Sequence, residues 1–140
     1  MADVAQIGSE EFIAFTTFRR NGAPVSTPVW VVPLSDGRRI GFYTTMGTGK
    51  TRRLAHTSRV TVQPSGRRGT LKEGSTPVEA VAEMVQGGPD FDEVQRAVRE
   101  KYGWQTKFFR LVGRLAQRKK QMTYGDTVVL VSPLDGTMDG

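Results

Sequence analysis

The chain has 140 residues, 37% of them apolar, which suits one small core, so a single domain over residues 1–140 is expected. It has no cysteine and one histidine, which excludes disulfides and thiol catalysis and argues against a metal centre built from protein ligands alone. The net charge of +6 is unevenly spread. Seven basic residues and no acid lie between Lys50 and Lys72, and a second acid-free basic stretch runs from Lys107 to Lys120. Such fields attract anions, so nucleic acid, membrane phosphate and a polyanionic cofactor are the partner classes to weigh. The first residues, MADVAQIGSEEF, carry neither a basic start nor a long apolar run. A cytoplasmic location with no membrane span is therefore the expectation.

The pattern from Phe12 to Phe18 predicts a strand, and Asn21-Gly22 predicts a hairpin turn after it. Pro24 to Leu34 continues extended, with prolines that call for an edge or a bulge. Asp36-Gly37 marks a second turn and Arg39 to Thr45 a third strand, so three antiparallel strands with short links are expected. Thr48 to Thr57 reads as a helix capped by Thr48 or Thr51. Arg59 to Pro64 is a β-branched strand, SGRRGT a basic connection, and Val78 to Val85 another strand. Asp90-Phe91-Asp92-Glu93 resembles a capping box, followed by an apolar stripe at Phe91, Val94, Val98 and Tyr102. Gly103 breaks that helix, Trp104 to Ala116 starts another, and Asp126 to Val131 closes the chain as a strand. The fold class that follows is mainly β: a small barrel, closed or half-closed to remove its edges, with a helical insertion before the last strand.

The segment Gly41–Leu54, GFYTTMGTGKTRRL, is a strand feeding a glycine turn and a basic helix start. Amides at a helix start favour an anion, Lys50 adds a compact charge, and Arg53 can grip phosphate through two parallel hydrogen bonds. The spacing is not that of a P-loop, because Gly47 precedes Gly49-Lys50-Thr51 by only two residues. Thr44 and Thr45 end the strand, and alternation points one hydroxyl each way. Trp30 either packs in the core or walls a planar ring. Gln63-Pro64-Ser65 ends the next strand, where a backbone amide or the Ser65 hydroxyl could meet a heterocycle edge. His56 stands in no catalytic arrangement, and the acidic residues Asp90, Asp92 and Glu93 are explained by capping. With no general acid, base or nucleophile in view, enzymatic activity would need a cofactor to carry the chemistry. Basic residues Lys107, Arg110, Arg114 and Arg118 share one face of the helix after Trp104, which is either solvated or turned to a ligand.

FTTFRRNGAPVSTPVWVV, GFYTTMGTGKTRRLAHTSRVTVQPSGRRG and GDTVVLVSP together span nearly the whole chain. In that order they resemble the pyridoxamine-phosphate-oxidase-like, FMN-binding-like split β-barrel proteins. The resemblance extends to the actinobacterial branch that uses the deazaflavin coenzyme F420. It implies a homodimer with cofactor sites at the interface. It places phosphate near Thr44, Thr45, Lys50 and Arg53, and the ring against Pro28, Val29, Trp30 and Val31 and against Gln63, Pro64 and Ser65. Arg67 and Arg68 would reach an acidic tail, and the C-terminal helix with Trp104 and Lys107 would either cover the partner's pocket or shape its substrate side. The implied function is hydride transfer between reduced coenzyme F420 and a small conjugated, electron-poor acceptor. The runners-up are an FMN-dependent oxidoreductase of the same fold and a protein that stores F420 without turnover. No set of residues matching a pyridoxal-phosphate site is present, so vitamin formation is not expected. Base-stacking aromatics are not interleaved with the Lys50–Lys72 run, which weighs against nucleic acid.

Overall fold

The computed structural model describes residues 3–101 and 126–134. Seven strands and three helices follow in the order α1 (Val4–Ile7), β1 (Phe12–Phe18), β2 (Pro24–Trp30), β3 (Val32–Pro33), β4 (Ile40–Thr44), α2 (Gly49–His56), β5 (Arg59–Ser65), β6 (Val78–Val85), α3 (Pro89–Lys101) and β7 (Thr127–Pro133). The strands form one curled antiparallel sheet in the order β2-β1-β5-β6-β7-β4-β3. The mainly β half-barrel, with α3 placed before the last strand, is thus the architecture expected from the sequence. Tyr102, Gly103, Trp104, Lys107 and the predicted helix Trp104–Ala116 lie outside the described residues.

The expected three-strand meander is corrected. β1 and β2 form a hairpin, as do β3 and β4, but β2 and β3 stand on opposite edges of the sheet. The extended run Pro24–Leu34 therefore breaks at Val31. There the chain leaves one edge and reappears on the other, curling the sheet on itself. The prolines fit this placement, since an edge strand has backbone donors to spare. α1 was not expected. Asp3 caps it by accepting from Gln6 N at 2.9 Å, and the Gln6 side chain accepts from Asp3 N at 2.9 Å.

Two apolar layers result. Ile13, Phe15, Ile40, Phe42, Val60, Val62, Val129 and Val131 fill the concave side with Leu54 of α2 and Val4 and Ile7 of α1. Phe15 and Phe42 meet edge to face at 4.7 Å. On the other side Val94 and Val98 of α3 pack on Val32, Leu34, Val128 and Leu130. Gly41 permits that approach: a Cβ there would lie 2.7 Å from Val94 Cγ2.

The acidic start of α3 serves a different purpose from the expected capping box. Asp90 receives both terminal nitrogens of Arg39, at 3.0 and 3.2 Å, and Glu93 accepts from Ser35 N at 2.5 Å. These bonds hold the β3–β4 hairpin. Asp36 completes the clamp by accepting from the amides of Arg38 and Arg39 and from Arg39 Nε. Burial works to raise the Asp36 carboxyl, but the backbone and guanidinium hydrogen bonds outweigh it and bring it down to about 2. At the far end of α3, Lys101 Nζ donates to the carbonyls of Gly8, Glu10 and Val31 at 2.5–2.7 Å, fastening α3 to the β2–β3 crossover.

Candidate functional site

The β4–α2 turn is built by threonine hydroxyls. Thr48 caps α2, settling the choice between Thr48 and Thr51, and its Oγ1 accepts from Thr51 N at 3.4 Å. Thr51 Oγ1 in turn accepts from Gly47 N and donates to Thr48 O, both at 3.0 Å. Asp126 accepts from Met46 N at 2.9 Å, and Arg52 Nη1 donates to Gly47 O at 3.1 Å. Gly47 takes φ 90°, a conformation that side chains disfavour. The amides of Gly49 and Lys50, at the start of α2, meet no acceptor among the described residues.

Lys50 turns inward. Its Nζ stands 5.6 Å from the centroid of Phe42, and the side chain is half-buried. Burial, with the neighbouring charge of Arg53, pushes its ammonium below the ordinary lysine value. None of the ion pairs among the described residues involves it. Arg53 folds back over Gly49, whose hydrogen leaves room for Nη1, and its Nε donates to the buried Thr17 hydroxyl at 2.5 Å. Burial and then the charges of Arg19 and Arg52 lower the Arg53 value. Thr44 is buried on the Phe42 side of β4 and Thr45 is exposed, as alternation requires. Thr27 adds a further polar atom, for its Oγ1 is buried with no hydrogen-bond partner and Thr27 pairs in register with Phe15. These groups fit an anion: an ammonium costly to bury alone, two open amides and the Arg53 guanidinium converge on one turn.

The ring-lining residues gather elsewhere. Phe12 pairs with both Trp30 and Ser65, and Ala14 with both Pro28 and Gln63, so β1 brings two distant sequence segments side by side. Ala14 stands three positions and Phe12 five positions along β1 from Thr17, so this group lies about 10–17 Å along the strand from the Arg53 contact. Val29 and Val31 face the core. Trp30 packs toward the α3 layer and lies 6.5 Å from the Phe12 ring. The Gln63 amide is taken up by Ser75 O and Oγ, at 3.1 and 3.0 Å. Pro64 is buried and its carbonyl accepts from Lys72 N, while Ser65 Oγ donates to Gly66 O. Arg67 and Arg68 are exposed in a turn closed by Gly66 N to Thr70 O at 2.9 Å, with Gly69 near Pro28. Within one protomer the residues expected to hold phosphate and those expected to line a ring are therefore two groups, not one.

Sequence reasoning found the β1–β2 hairpin but missed its position against α2. Arg20 Nε donates to His56 Nε2 at 3.2 Å, which brings Arg19 and Arg20 beside α2. Their basic character was visible in the sequence, but no local pattern tells which hairpin lies against which helix.

Several solved structures share this fold. A conserved hypothetical protein from Mycobacterium tuberculosis, Rv2991, is similar with a TM-score of 0.61 and 21% identity over 94% of this chain and 79% of that one. A pyridoxamine 5'-phosphate oxidase-related, FMN binding protein from Nostoc punctiforme gives 0.54 and 11%, covering 88% and 70%. An F420 reductase gives 0.52 and 16%, covering 95% and 93%. No curated protein matches the sequence. The family model described as pyridoxamine 5'-phosphate oxidase matches residues 2–131, nearly the whole chain, and the chain belongs to that family.

Proposed function

We propose that the protein is an oxidoreductase that holds a flavin-type ring by its phosphate, with FMN the first reading. The half-buried, acid-free ammonium of Lys50 carries this reading. A half-buried cation without a counter-charge is costly unless a ligand supplies one, and the aromatic face offsets only part of that cost. Membership of the family supports the redox class. When bound, such a ring supplies two-electron chemistry, giving or accepting a hydride. The chain's own residues bind and orient it. Lys50, Arg53 and the amides of Gly49 and Lys50 take the phosphate, and the Thr51 and Asp126 hydrogen bonds keep their turn in shape. Phe15 and Phe42 close the barrel interior beneath the ammonium. Asp126 is committed to Met46 N and Thr127 Oγ1, which hold its carboxyl below the usual range, so solvent supplies any proton.

The separation of the two residue groups favours a second copy of the chain, whose Trp30 and Ser65 region would complete the ring wall. Light scattering at working concentration tests this, and a monomer that binds cofactor fully would remove it. The deazaflavin coenzyme F420 is the second reading, supported by the surplus of cations around α2. A conjugated, electron-poor acceptor is the matching substrate class, and storage without turnover is the outcome if no acceptor is reduced. Titrating the purified protein with FMN and with F420 by fluorescence tests the whole proposal. Micromolar or tighter binding of either supports it, and binding of neither ends it.

A further inference from the structure

Arg53 belongs by sequence to the last turn of α2, yet its guanidinium lies over the first. A Cβ on Gly49 would stand 2.7 Å from Arg53 Nη1, 3.6 Å from Cζ and 3.7 Å from Nη2, so its three nearest neighbours all belong to that one side-chain tip. Gly49 takes no positive φ, and its backbone therefore makes no demand for glycine. The second anchor comes from β1. Thr17 is 1% exposed, and its hydroxyl accepts from Arg53 Nε at 2.5 Å. With Nε engaged and the tip seated over Gly49, Nη1 and Nη2 meet no acceptor among the described residues.

This placement runs against the field of a bare helix. A cation is favoured at the carbonyl end and disfavoured at the amide end. The first turn of α2 holds no acid to offset it, and Lys50, Arg19 and Arg52 add like charge. We infer that Thr17 and Gly49 are positioning residues: they seat the Arg53 guanidinium above the helix start, so that its two terminal nitrogens and the amides of Gly49 and Lys50 serve one phosphate. The inference rests on the reading that Lys50 and Arg53 take a phosphate, and it is indifferent to which ring that phosphate carries. Thr17 fixes a long side chain before the ligand arrives, which removes an ordering cost from binding. Gly49 leaves the space into which the fork folds.

The test sets stability against phosphate recognition. Gly49→Ala puts a better helix former at the first position of α2 and displaces only a side-chain tip. The melting temperature of the free protein should therefore hold or rise. Affinity for FMN, titrated by fluorescence, should fall about tenfold, the loss of a charge-assisted contact, while affinity for riboflavin, which lacks the phosphate, stays the same. Thr17→Val should lower FMN affinity about fivefold, again without loss for riboflavin, and Thr17→Ser, which keeps the hydroxyl, should restore it. Undiminished FMN affinity in folded Gly49→Ala overturns the inference, as does equal loss of FMN and riboflavin. If Gly49→Ala does not fold, the Thr17 pair decides by the same criteria. Equal affinity of the unaltered protein for FMN and riboflavin removes the phosphate reading, and the inference falls with it. If the unaltered protein takes F420 and not FMN, the comparison is made between F420 and the same deazaflavin without its phosphate. If it binds none of these, the proposed function falls first.

Discussion

Two arginines in this barrel are treated in opposite ways. Arg39 lies between Asp36 and Asp90, and the hydrogen bonds to those carboxylates raise it above the ordinary arginine value. Arg53 lies among Arg19, Arg52 and Lys50, and burial with like charges lowers it. Both are partly buried and both reach across the fold to another element. The first arrangement is internally neutral and fastens the β3–β4 hairpin to α3. The second is unfinished by the chain itself. A satisfied charge marks scaffold, and an unsatisfied one marks where a partner molecule belongs.

That contrast can be broken at either end. The largest effect should come from Lys101→Met, which removes the ammonium shared by the Gly8, Glu10 and Val31 carbonyls and should cost roughly 2–4 kcal/mol of stability in urea denaturation. A loss below the error of the measurement would show that water replaces the ammonium freely. Arg39→Met comes next. It strips Asp36 and Asp90 of their shared partner and should cost about 2 kcal/mol in the same assay, with FMN affinity unchanged in the folded fraction. Lys50→Met should do the reverse. It relieves an uncompensated cation, so melting temperature holds or rises, while cofactor affinity drops by about 1.5–3 kcal/mol. Equal affinity in a folded Lys50→Met protein would take Lys50 out of the site.

The smallest effect is a pH dependence. Asp36 titrates at about 2 in the fold, against about 3.9 in an unfolded chain. Above roughly pH 4 both forms are ionised and the full stabilisation is present. As pH falls toward 2 the unfolded carboxylate takes up a proton first, and the contribution is lost across that window. The Asp36 side chain is 34% exposed, so solvent screens the interaction and the change is modest. The slope of stability against pH between 4 and 2 should be shallower in Asp36→Asn, and identical slopes would show that other carboxylates carry it.

What the sequence disclosed, and what it withheld, follows the reach of each interaction. β1, β5, β6 and β7 were legible because β-branched alternation is local, and the hairpins because Asn21-Gly22 and Asp36-Gly37 supply the backbone angles a tight turn needs. α1 is four residues long, too short for periodicity, yet the Asp3…Gln6 spacing held its signal. The placement of β2 and β3 on opposite edges was not legible, since strand order depends on which distant segments pair. The same limit hid the role of Asp90, whose partner Arg39 is 51 positions away, and the nearness of Arg20 to His56, which are 36 apart. In the site, Lys50 and Arg53 could be picked out because helix start, glycine and charge are contiguous. That Gln63 spends its amide on Ser75 could not, because chemical type says nothing about prior engagement.

The passage of the chain at Val31 from one margin of the sheet to the other has a consequence for assembly. Neither margin can zip up alone: β2 settling against β1 hands a taut leash to β3, whose seat beside β4 must already exist or form in step. The closing event of folding is thus a single clasp, and amides of β2 and β3 should exchange with deuterium at matching rates although five strands lie between them.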